Sequence, residues 1–198
     1  GTYGAYNPQA YDSVRGFTTG GDLTPANTNV EGVDSGAHGY ISAVGADGFT
    51  LTGGSTNSHQ NNGASTTYVA WNWKAGTSFS NDASATSVGS IDSTGSVSTT
   101  AGFSIISYTG NNTGGATVAH GLGATPGLII IKNRDDDSQA HWAVWHHKAY
   151  ASGGDPNILY LQNTAAQSDD TNIRHSSVTT SSTVFSIGTS VFVNGSSE

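Results

Sequence analysis

The stretch ATVAHGLGATPGLIIIKNRD (residues 116–135), followed by HWAVWHHKAY (residues 141–150), decides the fold class. Residues 116–120 and 128–133 are short runs of β-branched and aliphatic side chains, the length of a strand and too short for a packed helix. Between them, Gly121, Gly123 and Gly127 supply backbone freedom and Pro126 fixes the exit, as a turn between strands requires. The spacing of these glycines does not fit a dinucleotide or phosphate loop, and no helical pattern follows. In residues 141–150 alternation puts Trp142, Val144 and His146 on one face and Ala143, Trp145 and His147 on the other. An aromatic on each face predicts a strand covered on both sides, by a second sheet and by a neighbouring unit or subunit. Trp142, Trp145, His146 and His147 are therefore candidates for an oligomer interface.

The same signals recur outward from this stretch, at residues 38–44, 48–52, 67–74, 102–108, 158–161, 183–187 and 190–193. Short strands at intervals of roughly ten residues, with no sustained helical period, predict an all-β chain. The architecture expected is antiparallel β-sandwich, jelly-roll or lectin-like. Val69, Trp71 and Trp73 share one strand face, expected to be the core face of a buried strand, with a sugar-stacking platform as the alternative. Residues 77–100 (TSFSNDASATSVGSIDSTGSVSTT) are too poor in apolar side chains to offset their ordering entropy and read as a linker or long surface loop.

Composition supports the same class and excludes several functions. Only 10% of the residues are charged, Met and Cys are absent, Gly numbers 27, and Ser with Thr makes up about a quarter of the chain. Six basic residues against fourteen acidic give a net charge of -8, which leaves little to displace counterions from a phosphate backbone. Nucleic acid is not an expected partner, and the scattered Lys and Arg form no membrane patch. No apolar run reaches bilayer-spanning length, which predicts a soluble chain. Without Cys there is no thiol chemistry, disulfide or Cys-based zinc site, so stability outside a cell is expected from packing and oligomerisation.

A faint repeat organises the chain. Asn27-Thr28 matches Asn163-Thr164, Asp34-Ser35 matches Asp170-Thr171, and Gly48-Phe49-Thr50-Leu51 matches Val184-Phe185-Ser186-Ile187, all at an offset of about 136 residues. Residues 1–62 then echo residues 137–198, as if the chain were cut from a tandem array of β modules. The expected division is a β module over 1–76 (the end of one unit), the linker over 77–100, and a second β-sandwich module over 101–198. Tandem units present the same loops repeatedly, which suits fibres and adhesins.

The strings TTYVAWNWKAG (66–76), AGFSIISYTG (101–110), residues 116–135 and HWAVWHHKAY resemble a repeated domain of virion proteins in marine tailed bacteriophages. Those proteins are labelled tail fibre proteins or concanavalin-like lectin/glucanase domains. In that family a GF-[ST]-I-x-x-Y-T-G strand precedes a G-H-G-L-G-x-x-P turn, an I-I-x-K-x-R strand and an aromatic strand; here Ala119 replaces the first Gly of the turn. The resemblance covers most of residues 66–192. It implies a location on a virion surface, outside the cell, and names no ligand.

The candidate chemistry is sparse. His141 and His147 are too far apart along a strand to chelate one ion, and adjacent His146 and His147 are expected to point apart. Asp135-Asp136-Asp137 lacks the order of a calcium loop and reads as a solvated turn. No GxSxG elbow is present, and Glu occurs only at 31 and 198, so no nucleophile or carboxylate pair stands out. The expectation is a non-enzymatic structural protein of a phage particle, a tail or head fibre or decoration module, with no cofactor and no metal. Its partners would be copies of itself, a trimer being the commonest fibre solution, and other virion proteins. The alternative is a lectin-like module holding a host-surface glycan in the loop Asn57, Ser58, His59, Gln60, Asn61, Asn62. A polysaccharide depolymerase ranks third.

Overall fold

Ile129, Trp145 and Ile158 stand in one row across three hydrogen-bonded strands, and that row is the floor of the core. The computed structural model describes residues 7–56, 61–137, 140–150, 156–174 and 180–195. The row belongs to β7 (Leu128–Ile131), β8 (Ala143–Tyr150) and β9 (Pro156–Tyr160), an antiparallel sheet with β8 in the middle. Against it lie Val118 and Ile187, both 0% exposed, and Phe185. These come from β6 (Ala116–Ala119) and β10 (Val184–Ile187), an antiparallel pair from distant parts of the sequence. Burying each such aliphatic side chain contributes roughly 1.5–3 kcal/mol, which makes this contact the main apolar attachment between the sheets.

A third sheet, in the order β3 (Thr77–Asn81), β4 (Ser93–Ser98) and β5 (Phe103–Tyr108), overturns the expected linker over 77–100. Its strands are made of Ser, Thr and Gly and are placed by hydrogen bonding rather than by apolar burial. Ser93 and Ser96 are buried, Ser93 Oγ donates to Ala119 O (3.2 Å), and Asn81 Nδ2 donates to Val88 O (2.9 Å). Gly95 lets β5 close on β4: a Cβ there would lie 2.2 Å from Ile105 O. Between β3 and β4 a single turn of helix, α2 (Ala83–Thr86), is capped by the Asp82 carboxylate, which accepts from Ser84 N and Ala85 N. Ile91, buried and bridged to Val118, ties this sheet to the core.

Two further expectations fail. Residues 67–74 pair with no strand, and Val69, Trp71 and Trp73 are 70%, 73% and 66% exposed instead of forming a core face. Alternation shows that side chains share a face, and here that face stays largely in solvent, with Trp73 alone stacked at its end on Phe103. Residues 190–193, expected as a strand, hold the helical turn α3 (Val191–Asn194), because Ser190 caps it with Oγ accepting from Phe192 N (3.3 Å).

The N-terminal part is a polar knot followed by a hairpin. Asp22, 1% exposed, accepts from Asp34 N and Ser35 N and so fixes the turn α1 (Ser35–His38). The hairpin β1 (Tyr40–Val44) and β2 (Phe49–Thr52) follows, with a register shift between Ile41 and Ala43. Trp142 Nε1 donates to Thr24 O and Asn27 O, and Glu31 N donates to Arg134 O, so the knot seats on the β7–β8 sheet. Small features recur at the spacing of the sequence repeat. His38 N donates to Asp34 O and Arg174 N to Asp170 O.

Candidate functional site

A cleft of about 660 Å³ runs along the free edges of two sheets. Every residue of β5 and of β7 contributes to its walls, and among the described residues each of these strands has a hydrogen-bonded neighbour strand on one side only. Ile106, Tyr108, Ile129 and Ile131 rest on the core beneath it, with Phe185 and Phe192. The turn α3 closes one end: Tyr108 Oη donates to Val193 O (2.6 Å) and Asn133 Nδ2 to Val191 O (2.9 Å). Burial pushes the Tyr108 phenol well above its ordinary value, so it stays a neutral donor to that carbonyl.

The charged groups that line the cleft are largely engaged with the fold. Arg15 donates from Nε to Asp12 (2.5 Å) and from Nη1 to Glu31 (2.9 Å) and Gly21 O (2.8 Å), while Arg134 Nε pairs with the other oxygen of Glu31. His120 is buried between Leu122 N and Ser181 O, and burial lowers its pKa. Lys132 donates to Asn133 O; burial brings its ammonium down to about 8 against the opposing pull of Asp136, Asp135 and Asp137. Around this cleft the apolar surface and the open strand edges are what is available to a ligand, rather than a converging acid and base.

Near residue Phe103 the second exposed feature begins. Trp73 stacks on Phe103 with centroids 6.0 Å apart, and from there residues 66–74 extend into solvent without a turn or bend until Thr66 and its neighbours. Tyr68 Oη accepts from Gly63 N (2.7 Å), which tethers the far end of the segment.

The residues singled out in the sequence fall elsewhere. Asn57, His59 and Gln60 lie outside the described residues. Asn61 is half-buried and donates to Gln9 Oε1 (3.1 Å), holding its loop to the N-terminal part, while Asn62 is exposed. Trp142 and Trp145 are 8% and 7% exposed, covered within the chain by the N-terminal knot and by the core respectively. Their neighbours His146 and His147 lie towards the surface. Those two rings stack at 4.7 Å instead of pointing apart, because the β8–β9 register shifts after Trp145 and strict alternation is lost. His147 also faces Gly127 O through Nδ1 (3.1 Å). The cleft itself had no sequence signal, since β5 and β7 meet only through the fold. Residues 66–76 did have one, the alternating aromatics.

The structure thus defines a mostly β chain of antiparallel sheets with an apolar cleft between two open edges and a separate exposed aromatic segment. It belongs to the family described as a domain of unknown function, DUF7483, which matches residues 2–198. No curated protein and no solved structure matches the chain. Among the described residues no helix is long and apolar enough to cross a membrane.

Proposed function

We propose that this chain is a structural module of a particle surface, a fibre or decoration unit of the kind carried by tailed-bacteriophage virions. It associates with copies of itself and with other virion proteins, and displays a surface for host adhesion. The observation that carries this reading is the exposure of Val69, Trp71 and Trp73 on one face of an extended segment. Large apolar groups gathered in water mark a surface that another molecule covers. The facing β6–β10 and β7–β8–β9 sheets support a sandwich module, and the matching turn contacts of His38 with Asp34 and of Arg174 with Asp170 support tandem units.

Sedimentation over a wide concentration range tests the reading. Association that strengthens with concentration is the expected result, and a lone monomer at the highest concentrations would reject it.

Trp71 and Trp73, two residues apart and 73% and 66% exposed, favour a second reading as a glycan-binding module. Binding to bacterial surface polysaccharides that Trp71→Ala abolishes would establish it, and silence across such a panel would remove it.

A further inference from the structure

Residues 22–38 and 158–174 are folded alike. Gly32 N donates to Asp22 O (2.9 Å) and, 136 residues further on, Ser168 N donates to Ile158 O (3.0 Å). At the same spacing Asn27 Oδ1 accepts from Asn29 N (3.0 Å) and Asn163 Oδ1 from Ala165 N (3.0 Å), each closing an Asx turn. The bonds from His38 N to Asp34 O and from Arg174 N to Asp170 O complete the correspondence. Leu23 pairs antiparallel with Ala10 much as Leu159 pairs with Val144. Hydrogen bonds that recur at one spacing mean that the match of Asn27-Thr28 with Asn163-Thr164 reflects one local structure formed twice.

The two blocks differ in what covers them. The first seats on the β7–β8 sheet: Trp142 Nε1 donates to Thr24 O (3.2 Å) and Asn27 O (3.1 Å), Thr28 Oγ1 to Asp137 O (3.1 Å), and Glu31 N to Arg134 O (2.9 Å). The groups that make these contacts are carbonyls, an amide and a threonine hydroxyl, and the second block has the same groups at Tyr160, Asn163, Gln167 and Thr164. In the first block Leu23 is 7% exposed and residues 27–32 are half-buried; in the second Leu159 is 36% exposed and residues 163–168 are exposed. The second block is held in shape by its own sheet, with Leu161 N donating to Trp142 O (3.1 Å) and Trp142 N to Gln162 Oε1 (3.0 Å), and its outward side is left to solvent.

We infer that residues 160–167 are a docking surface for a further unit of this kind, and cover its tryptophan-bearing sheet as residues 24–31 cover the sheet here. The chemistry of that partner is set by the contact already seen: an indole N–H to bridge two carbonyls, flanked by main-chain carbonyls like those of Arg134 and Asp137. Leu161, 49% exposed, stands where Pro25 does and adds apolar area. Gln167 stands where Glu31 does and presents an amide oxygen to the arginine in place of a carboxylate. No segment has to leave its place for this docking, and because the two faces of the contact are different surfaces it repeats head to tail. The inference rests on the tandem-unit reading above and assigns the contact that joins the units.

The test compares the natural chain with the same chain extended past Glu198 by a second copy of residues 63–198, a join at which residue 198 takes the place of residue 62 in the repeat. Amide hydrogen exchange at Gln167 should slow by about tenfold or more in the extended chain, the effect of engaging an exposed amide in a buried main-chain hydrogen bond. Trp142→Phe made in the appended segment alone removes the bridging indole N–H and should return Gln167 towards its rate in the natural chain. The Glu31 amide of the same molecule should stay protected throughout and serves as the internal standard. An appended segment that does not fold, or that folds while Gln167 exchanges as in the natural chain, overturns the inference. Protection of Gln167 that is indifferent to Trp142→Phe overturns it as well, since another surface would then be responsible. Sedimentation of the natural chain decides the self-association reading independently. Association there with Gln167 still exchanging freely in the extended chain would sink the docking alone, and a lone natural chain with Gln167 protected in the extended one would keep the docking and sink that reading.

Discussion

At His120 the backbone settles where the ring proton sits. Leu122 N can only donate, so Nδ1 accepts from it (3.2 Å), and the proton is left on Nε2 to donate to Ser181 O (3.2 Å). A second proton would desolvate a charge and remove the acceptor that Leu122 needs; burial accordingly holds the pKa below the ordinary 6.5. The folded form therefore takes up this proton less readily than the unfolded chain. Its contribution to stability is present above about pH 6.5 and is lost as pH falls below it. The His120 ring should titrate below the ordinary 6.5 by NMR, and the urea midpoint should drop on acidification less steeply in His120→Gln than in the natural chain. The sequence placed His120 at the end of a strand and gave no sign of this role, because the partner carbonyl belongs to a residue beyond 180.

At the scale of elements, the strands built from β-branched and aromatic runs were legible: β1, β2 and β5 to β10 all fall within or close to their expected limits. Hydrophobic alternation carries that information and carries nothing about strands such as β3 and β4. In those, Ser93, Ser96 and Gly95 are selected for smallness and hydrogen bonding, so their composition resembles a loop. Gly95 shows the constraint. Although Ala is no worse a strand former, Gly95→Ala would press a methyl group into Ile105 O and Ile106 Cδ1, at 2.2 and 2.8 Å. Overpacking of this kind costs about 1–3 kcal/mol, and thermal unfolding of that variant should show at least the upper part of the range. Residues 66–76 failed in the opposite direction. Their alternation was read correctly as one apolar face, and nothing in a single sequence says whether that face is covered by the same chain or by another.

Across the whole molecule, distant segments are joined as much by polar contacts as by the core. Glu31 accepts from Arg15 and from Arg134, linking the N-terminal knot to the end of β7, with the side chains of Arg15 and Glu31 only 7% and 14% exposed. Removing the carboxylate leaves the nearly buried Arg15 guanidinium to Asp12 and Gly21 O; Glu31→Gln is expected to lower stability by about 1.5 kcal/mol in urea unfolding, where a surface pair would show little. Such links have no period and no motif, which is why the arrangement of residues 7–39 was not legible while their charge was. The same holds for the cleft, whose two walls are separated in sequence by a turn and β6 and meet only after folding.

The chain's four tryptophans divide evenly between water and interior: Trp71 and Trp73 at 73% and 66% exposure, Trp142 and Trp145 at 8% and 7%. This gives the protein a built-in optical gauge. Iodide should quench about half of the emission of the dilute chain, the red-shifted half, and spare the rest. Whatever molecule comes to sit on the outer pair should shift the spectrum to the blue and shield it from iodide. A dilution series in a fluorimeter would then follow assembly without any added dye.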